Sequence, residues 1–340
     1  MEKTLDVKLA RLASDSSCRD FILADAKDAD MGFGASGLGR APGSDRPRTL
    51  DEFRACIREI ADQRLVDIML MSVSTSDQLT VREQLFVDSP VTPAVRANDT
   101  TDIWLAGTPA AYGTQPAMPF RTASLPHAMY GRADYDGEDP VCGADLGLFS
   151  ITLNHDAPRD VAMLEAYADF RVEAEAYGFR HFLEVFPPNA CDSLTPAQIP
   201  AFVNDSIARL LAGVARSERP AFLKIPYFGP RAMESLASYD SSLVVGILGG
   251  SAGTTFDAFR MVAEAKRYGA RAALFGRKIN NAEHQPSFVR LLRAIADEQV
   301  EAAEGVRAYH GELAKLGIAS RRSLADDLAA TESTAAYDAK

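Results

Sequence analysis

The chain has 340 residues, 47% of them hydrophobic and 24% charged, with a net charge of −11. That length and balance suit one large α/β barrel or two smaller domains with an ordinary globular interior. The acidic surplus argues against nucleic acid as a partner, though not against an anionic small ligand in a locally basic pocket, and no run of about 18 uncharged apolar residues predicts a membrane span.

The N-terminus, MEKTLDVKLARLASDSSCRDF, mixes both charge signs around no apolar block, so it does not read as a secretory signal. Cys18, Cys56, Cys142 and Cys191 are scattered with no CxxC pair, as expected of a reduced, cytoplasmic protein. Eight short apolar runs then predict strands: DFILADA (20–26), LVDIMLMS (65–72), VTPAVRA (91–97), LGLFSITL (146–153), RHFLEVF (180–186), AFLKIPY (221–227), SLVVGIL (242–248) and ARAALFG (270–276). Amphipathic stretches separate most of them. LDEFRACIREIADQR (50–64) puts Phe53, Ile57 and Ile60 on one face behind Thr49 as N-cap. The stretches 159–178, 199–217 and 254–269 repeat the form, and the first and last end in glycine.

Continuous apolar strands alternating with helices imply a parallel sheet buried on both faces. Eight such units over roughly 260 residues predict a closed (β/α)8 TIM barrel, with a doubly wound open sheet as the competitor. No GxGxxG follows the first strand, which favours the barrel. The expected organisation is a single domain with a core over about 18–300, a loop over 28–49, a long insertion over 98–143 after the third strand, and an extra C-terminal helical segment over about 300–330. That last segment would pack on the barrel or on another subunit, and the final residues, ATESTAAYDAK, read as frayed.

In such a barrel the site lies at the C-terminal ends of the strands. The first strand presents Asp25 and Lys27, the fifth Glu184, the sixth Lys224, the seventh the turn GGSAG (249–253), and the eighth Gly276 and Arg277. Lys224 stands in the middle of an apolar run, where burial disfavours the ammonium and frees a neutral amine that can attack a carbonyl. Glu184 on the neighbouring strand is a candidate to move protons, and Asp25 and Lys27 to hold hydroxyl or anionic groups. Gly249, Gly250 and Ser251 before a helix, with Gly276 and Arg277 one strand on, form a candidate phosphate site. Blander readings stand beside these: Lys224–Glu184 as a buried ion pair, Asp25–Lys27 as a structural pair, GGSAG as a plain turn. Asn154-His155-Asp156 after the fourth strand is equally a loop or a catalytic group. The histidines and cysteines lack metal-ligand spacing, so no metal is expected.

Four segments together resemble the class I, Schiff-base-forming aldolases of the deoxyribose-phosphate and tagatose-bisphosphate aldolase type: ILADAKDA (22–29), HFLEVF (181–186), FLKIP (222–226) and GILGGSAG with ALFGRKI (246–253, 273–279). The resemblance spans about residues 20–300. It implies Lys224 as the imine-forming nucleophile, Glu184 as acid/base, Asp25 and Lys27 as the Asp-x-basic signature, and the two turns as a phosphate clamp, without metal or organic cofactor. Two departures stand out. The family's fourth strand often carries a second lysine, where this chain has Leu148 or Ser150, and the 98–143 insertion is larger.

The expectation is therefore an aldolase cleaving or forming a ketose or ketose phosphate, its partner a small sugar or sugar phosphate rather than nucleic acid or membrane. A homo-oligomer is expected. The alternatives are a barrel isomerase or phosphate lyase using Lys224 as general base, and a non-catalytic sugar-phosphate-binding protein.

Overall fold

Eight parallel strands close into a barrel in the computed structural model, which describes residues 1–41, 43–104, 111–134, 139–250 and 253–331. They are β1 (Ile22–Lys27), β2 (Ile68–Met71), β3 (Thr92–Arg96), β6 (Leu146–Thr152), β7 (Arg180–Phe186), β8 (Leu223–Ile225), β9 (Val245–Leu248) and β10 (Ala272–Phe275). Two short strands, β4 (Asp99–Thr100) and β5 (Pro119–Phe120), pair antiparallel within the insertion. All eight runs expected as strands are strands of the barrel, most of them shorter than the apolar run. β8 stops at Ile225 because Pro226 has no N–H to donate to the ladder.

Alternation of side chains makes two cores. Outward residues such as Leu23, Met69, Phe149 and Leu183 pack under the helices, with Phe53, Ile57 and Ile60 of the Leu50–Gln63 helix among their cluster. Thr49 caps that helix, as expected, and does so through a full capping box with Glu52. Inward residues fill the lower barrel, where the rings of Phe182 and Phe222 stack with centroids 4.5 Å apart. Below them an N-terminal helix, Thr4–Ser14, inserts the fully buried Leu5 into the same interior cluster. Lys3 Nζ fixes its start by donating to the carbonyls of Phe86, Ser89 and Val91 just ahead of β3. The barrel is thereby plugged at its N-terminal end.

Two segments depart from the expected outline. The 28–49 stretch is partly helical, with Ala29–Phe33 and a 3₁₀ turn over Gly34–Leu38. The helix Gln285–Ala296, unmarked in the sequence reading, is the one that follows β10. The C-terminal helix Ala302–Lys315 buries Val306, Tyr309 and Leu313, and packs on Thr255–Arg267 and Gln285–Ala296 of its own barrel. Of the tail expected to fray, residues 332–340 lie outside the described residues.

Candidate active site

Register brings the key groups to one height. Ser150 is the partner of Glu184 between β6 and β7, and Glu184 is the partner of Lys224 between β7 and β8. Lys224 Nζ stands 2.6 Å from Glu184 Oε1, while Ser150 Oγ donates to Glu184 Oε2 at 2.7 Å. Lys224 is 6% exposed and Glu184 1%. The fourth-strand position that lacks a lysine thus carries a hydroxyl aimed at the glutamate.

The cation comes from the strand before it. Arg96 at the end of β3 reaches across and donates from NH1 to Ser150 Oγ at 3.1 Å, with NH2 3.5 Å from Glu184 Oε2. Its Nε donates to Asp28 Oδ2 at 2.6 Å, and Asp99 Oδ1 lies 3.5 Å from NH1. Burial alone would raise the Asp28 carboxyl, but Arg96 and Lys224 override it and hold its pKa below the ordinary value. Asp99 goes the other way. Burial pushes it up to about 7 despite Arg96, with Asp28, Glu184 and Asp102 adding repulsion. The side chain of Asn98 braces this corner by extending the ladder: its Nδ2 donates to Ser150 O and its Oδ1 accepts from Ser150 N.

Lys224, Glu184, Arg96 and Asp28 open onto a cavity of about 180 Å³ at the barrel mouth, walled also by Phe33, Ile103, Phe186 and Leu248. Its lining has three basic side chains, Arg96, Lys224 and Arg277, against two acidic ones, Asp28 and Glu184. A chain of net charge −11 therefore holds a locally basic pocket.

Asp25 and Lys27 are not in it, and this corrects the expectation for the end of β1. Ile22, Ala24 and Ala26 belong to the interior cluster and Leu23 to the outer one, so Asp25 and Lys27 face the helix layer. Lys27, fully buried, lies 3.0 Å from Asp25 Oδ2 and donates to Asn280 Oδ1 at 2.7 Å and Gln285 Oε1 at 3.0 Å. Two hydrogen-bond acceptors and one ion-pair partner thus surround the ammonium, as a buried structural lysine requires. Lys224 has one carboxylate acceptor and otherwise faces the cavity. The inward residue of β1's continuation is Asp28, which sequence reasoning passed over together with Arg96. The small Ala24 and Ala26 at every second position were the available signal, since they leave room for long side chains from across the barrel.

The glycine-rich side needs a second correction. Gly249, Gly250, Gly276 and Arg277 line the cavity, and the Arg277 guanidinium stacks 4.9 Å from the Phe33 ring centroid. Ser251 lies outside the described residues. Gly249 is required by packing: a Cβ there would meet the Phe275 ring at 2.2 Å. At Gly276 a Cβ would meet the Ala26 carbonyl oxygen at 2.8 Å. The start of the 255–267 helix, however, is already occupied. Thr254 Oγ1 accepts from Asp257 N, and Asp327 Oδ1 accepts from Thr255 N at 2.8 Å. The Thr255 amide is therefore not free to meet an anion beside Arg277.

Asn154, His155 and Asp156 do not line the cavity. Asn154 Oδ1 accepts from the amides of Asn189 and Ala190, and Asp156 caps the Ala157–Tyr177 helix. His155 is exposed and bonded to Ser193 Oγ at 2.8 Å, away from the cavity lining. Among the described residues, no three His, Cys, Asp or Glu side chains are placed to hold a metal ion.

No protein-family model and no curated protein matches this sequence. Solved structures do match in fold. A fructose-bisphosphate aldolase from Slackia heliotrinireducens aligns with a TM-score of 0.62 at 15% identity, covering 91% of this chain and 90% of that one. An archaeal fructose 1,6-bisphosphate aldolase aligns at 0.60 and 15% identity, covering 86% and 99%. Another archaeal structure, with its catalytic Lys covalently bound to the carbinolamine intermediate of the substrate, aligns at 0.59 and 15%, covering 86% and 98%. The chain has the same (β/α)8 fold as these aldolases.

Proposed function

We propose that the protein is a class I aldolase that cleaves or forms a ketose or ketose phosphate through a Schiff base on Lys224. The observation that carries this is the contrast between two buried lysines: Lys27 is enclosed by Asp25, Asn280 and Gln285 in the helix layer, whereas Lys224 is paired with Glu184 and borders the open cavity. The shared fold with Schiff-base-forming aldolases supports the same reading.

The chemistry runs on this chain's own groups. Glu184 takes a proton from Lys224 across their 2.6 Å contact, and the freed amine attacks the substrate ketone. The resulting carbinolamine loses water as Glu184 returns the proton, giving a protonated imine. Asp28, held ionised by Arg96 and Lys224, accepts the proton of the substrate hydroxyl on the far side of the breaking carbon–carbon bond. The bonding electrons flow into the imine and an aldehyde departs. The enamine left behind is protonated at carbon, and water then hydrolyses the imine to release the second product and Lys224. Arg96 keeps Glu184 and Asp28 from repelling each other. Arg277, with Gly249, Gly250 and Gly276, holds the substrate anion. Asp25 and Lys27 tie β1 to Asn280 and Gln285 behind the site.

The test is reductive trapping. The protein is incubated with dihydroxyacetone phosphate and a panel of ketoses and keto acids, then treated with borohydride and mapped by mass spectrometry. A reduced adduct on Lys224, absent in Lys224→Met, is expected. Adducts confined to surface lysines would refute the imine reading and bring forward a base-catalysed isomerase or lyase, or a silent binder.

A further inference from the structure

The chain beyond the Ala302–Lys315 helix runs back over the start of the 255–267 helix and grips it through several polar contacts. Asp327, 4% exposed, accepts from Thr255 N at 2.8 Å through Oδ1, and its Oδ2 lies 3.0 Å from His310 Nε2. The Ala329 carbonyl accepts from Thr254 Oγ1 at 2.8 Å. Thr331 donates from N and Oγ1 to Asp257 Oδ2 at 3.1 and 2.7 Å. Arg322 NH1 donates to the carbonyl of Gly253 at 2.9 Å, and Lys278 Nζ donates to that same carbonyl at 2.7 Å.

The arrangement has a direction. Gly253 lies four residues beyond Gly249 in the chain, and Lys278 is the chain neighbour of Arg277. The Gly253 carbonyl therefore ties Lys278, next to the cavity-lining Arg277, to Arg322 of the C-terminal strap. None of the strap residues lines the cavity that contains Lys224. A carboxylate at a helix N-terminus is favourable in itself, yet capping alone does not require Arg322 on Gly253 as well.

We propose that residues 320–331 are a positioning strap for the anion-binding side of the active site. Asp327 and Arg322 set the affinity for an anionic substrate group while leaving imine formation at Lys224 untouched. The proposal rests on the reading above that Arg277 and the Gly249–Gly250 turn hold an anion. A binding geometry loosened by even an ångström weakens a preorganised clamp by roughly tenfold or more.

The experiment compares the full-length protein with Asp327→Ala and with Arg322→Ala, the latter an exposed position chosen so that folding is not at stake. Inorganic phosphate binding is measured by calorimetry. The rate of borohydride-trapped adduct formation at Lys224 is measured with dihydroxyacetone, which carries no phosphate. Both variants should bind phosphate roughly tenfold more weakly, with the dihydroxyacetone rate within about twofold of the unmodified protein. Amide exchange over 253–258 should quicken in both.

Unchanged phosphate affinity in both variants overturns the strap. So does a parallel fall in the dihydroxyacetone rate, which would mark a general loss of structure. If the unmodified protein traps dihydroxyacetone at Lys224 but binds no phosphate, the anion reading fails and takes this proposal with it while the aldolase reading stands. If it binds phosphate but traps nothing, the aldolase reading fails and the calorimetry still decides the strap.

Discussion

Replacing Arg96 by methionine removes the one guanidinium that three carboxylates share. Asp28 lies 2.6 Å from it, and Asp99 and Glu184 each 3.5 Å, with Arg96 only 5% exposed. At an effective dielectric of about 20, a charge pair near 4 Å is worth about 4 kcal/mol. Three such contacts do not simply add, because a stranded carboxylate protonates instead. Neutralising one at pH 7 costs about 4 kcal/mol for a shift of some three units, and breaking a buried pair typically costs about 3–5 kcal/mol. The expected loss is therefore about 3–5 kcal/mol near neutrality, enough to weaken the fold without abolishing it.

The loss should depend on pH, and the sign follows from Asp28. In the intact protein its pKa is held below the ordinary value, so it contributes stability above the unfolded pKa, lost only as pH falls through the lower folded one. Without Arg96 burial dominates, the folded pKa rises, and the same group destabilises the fold as pH climbs. Urea unfolding at pH 5 and pH 8 should show a larger deficit for Arg96→Met at pH 8. A deficit under about 1 kcal/mol, the level of an exposed pair, or one equal at both pH values, would refute the view that Arg96 is the electrostatic keystone of the site.

Three other expectations follow from the same geometry. Glu184→Gln keeps the shape beside Lys224 but cannot relay its proton, so turnover should fall by about 10²–10⁴; steady-state rates within tenfold of the unmodified protein would remove Glu184 from the mechanism. Lys27→Met strands Asp25, Asn280 and Gln285 and should cost about 3–5 kcal/mol in chemical denaturation, yet the folded protein should still trap adduct on Lys224, and loss of trapping without loss of stability would return Lys27 to the site. Asp99, pushed up to about 7, binds a proton in the folded state that the unfolded chain has lost, so its contribution to stability declines as pH rises from about 4 to about 7. Asp99→Asn should therefore gain on the unmodified protein by about 3 kcal/mol between pH 5 and pH 8, and parallel stability curves would show that Asp99 ionises normally.

Much of this was legible in the chain. Eight apolar runs separated by capped amphipathic stretches specify strands and helices locally, because buried parallel strands need apolar residues on both faces and helices need one apolar face. Lys224 and Glu184 were conspicuous for the same reason: a charge inside such a run requires a partner, and each proved to be the other's. The β1 end shows the limit. In ILADAKD the small Ala24 and Ala26 are only a faint local sign of which parity faces the barrel axis, and Asp25 and Asp28 each read as a strand-end acid. Closure of the sheet decided that, by placing Leu23 under the helices and Ala24 and Ala26 inside. Arg96 was silent for another reason. Its partners, Asp28 and Glu184, stand 68 and 88 residues away in the chain, and only the barrel curvature brings three strands' ends around one guanidinium. The helix start at 255 followed the same rule: capping by Thr254 is written into the local sequence, while the carboxylate that sits on the next amide arrives from Asp327, and only the folded chain could deliver it.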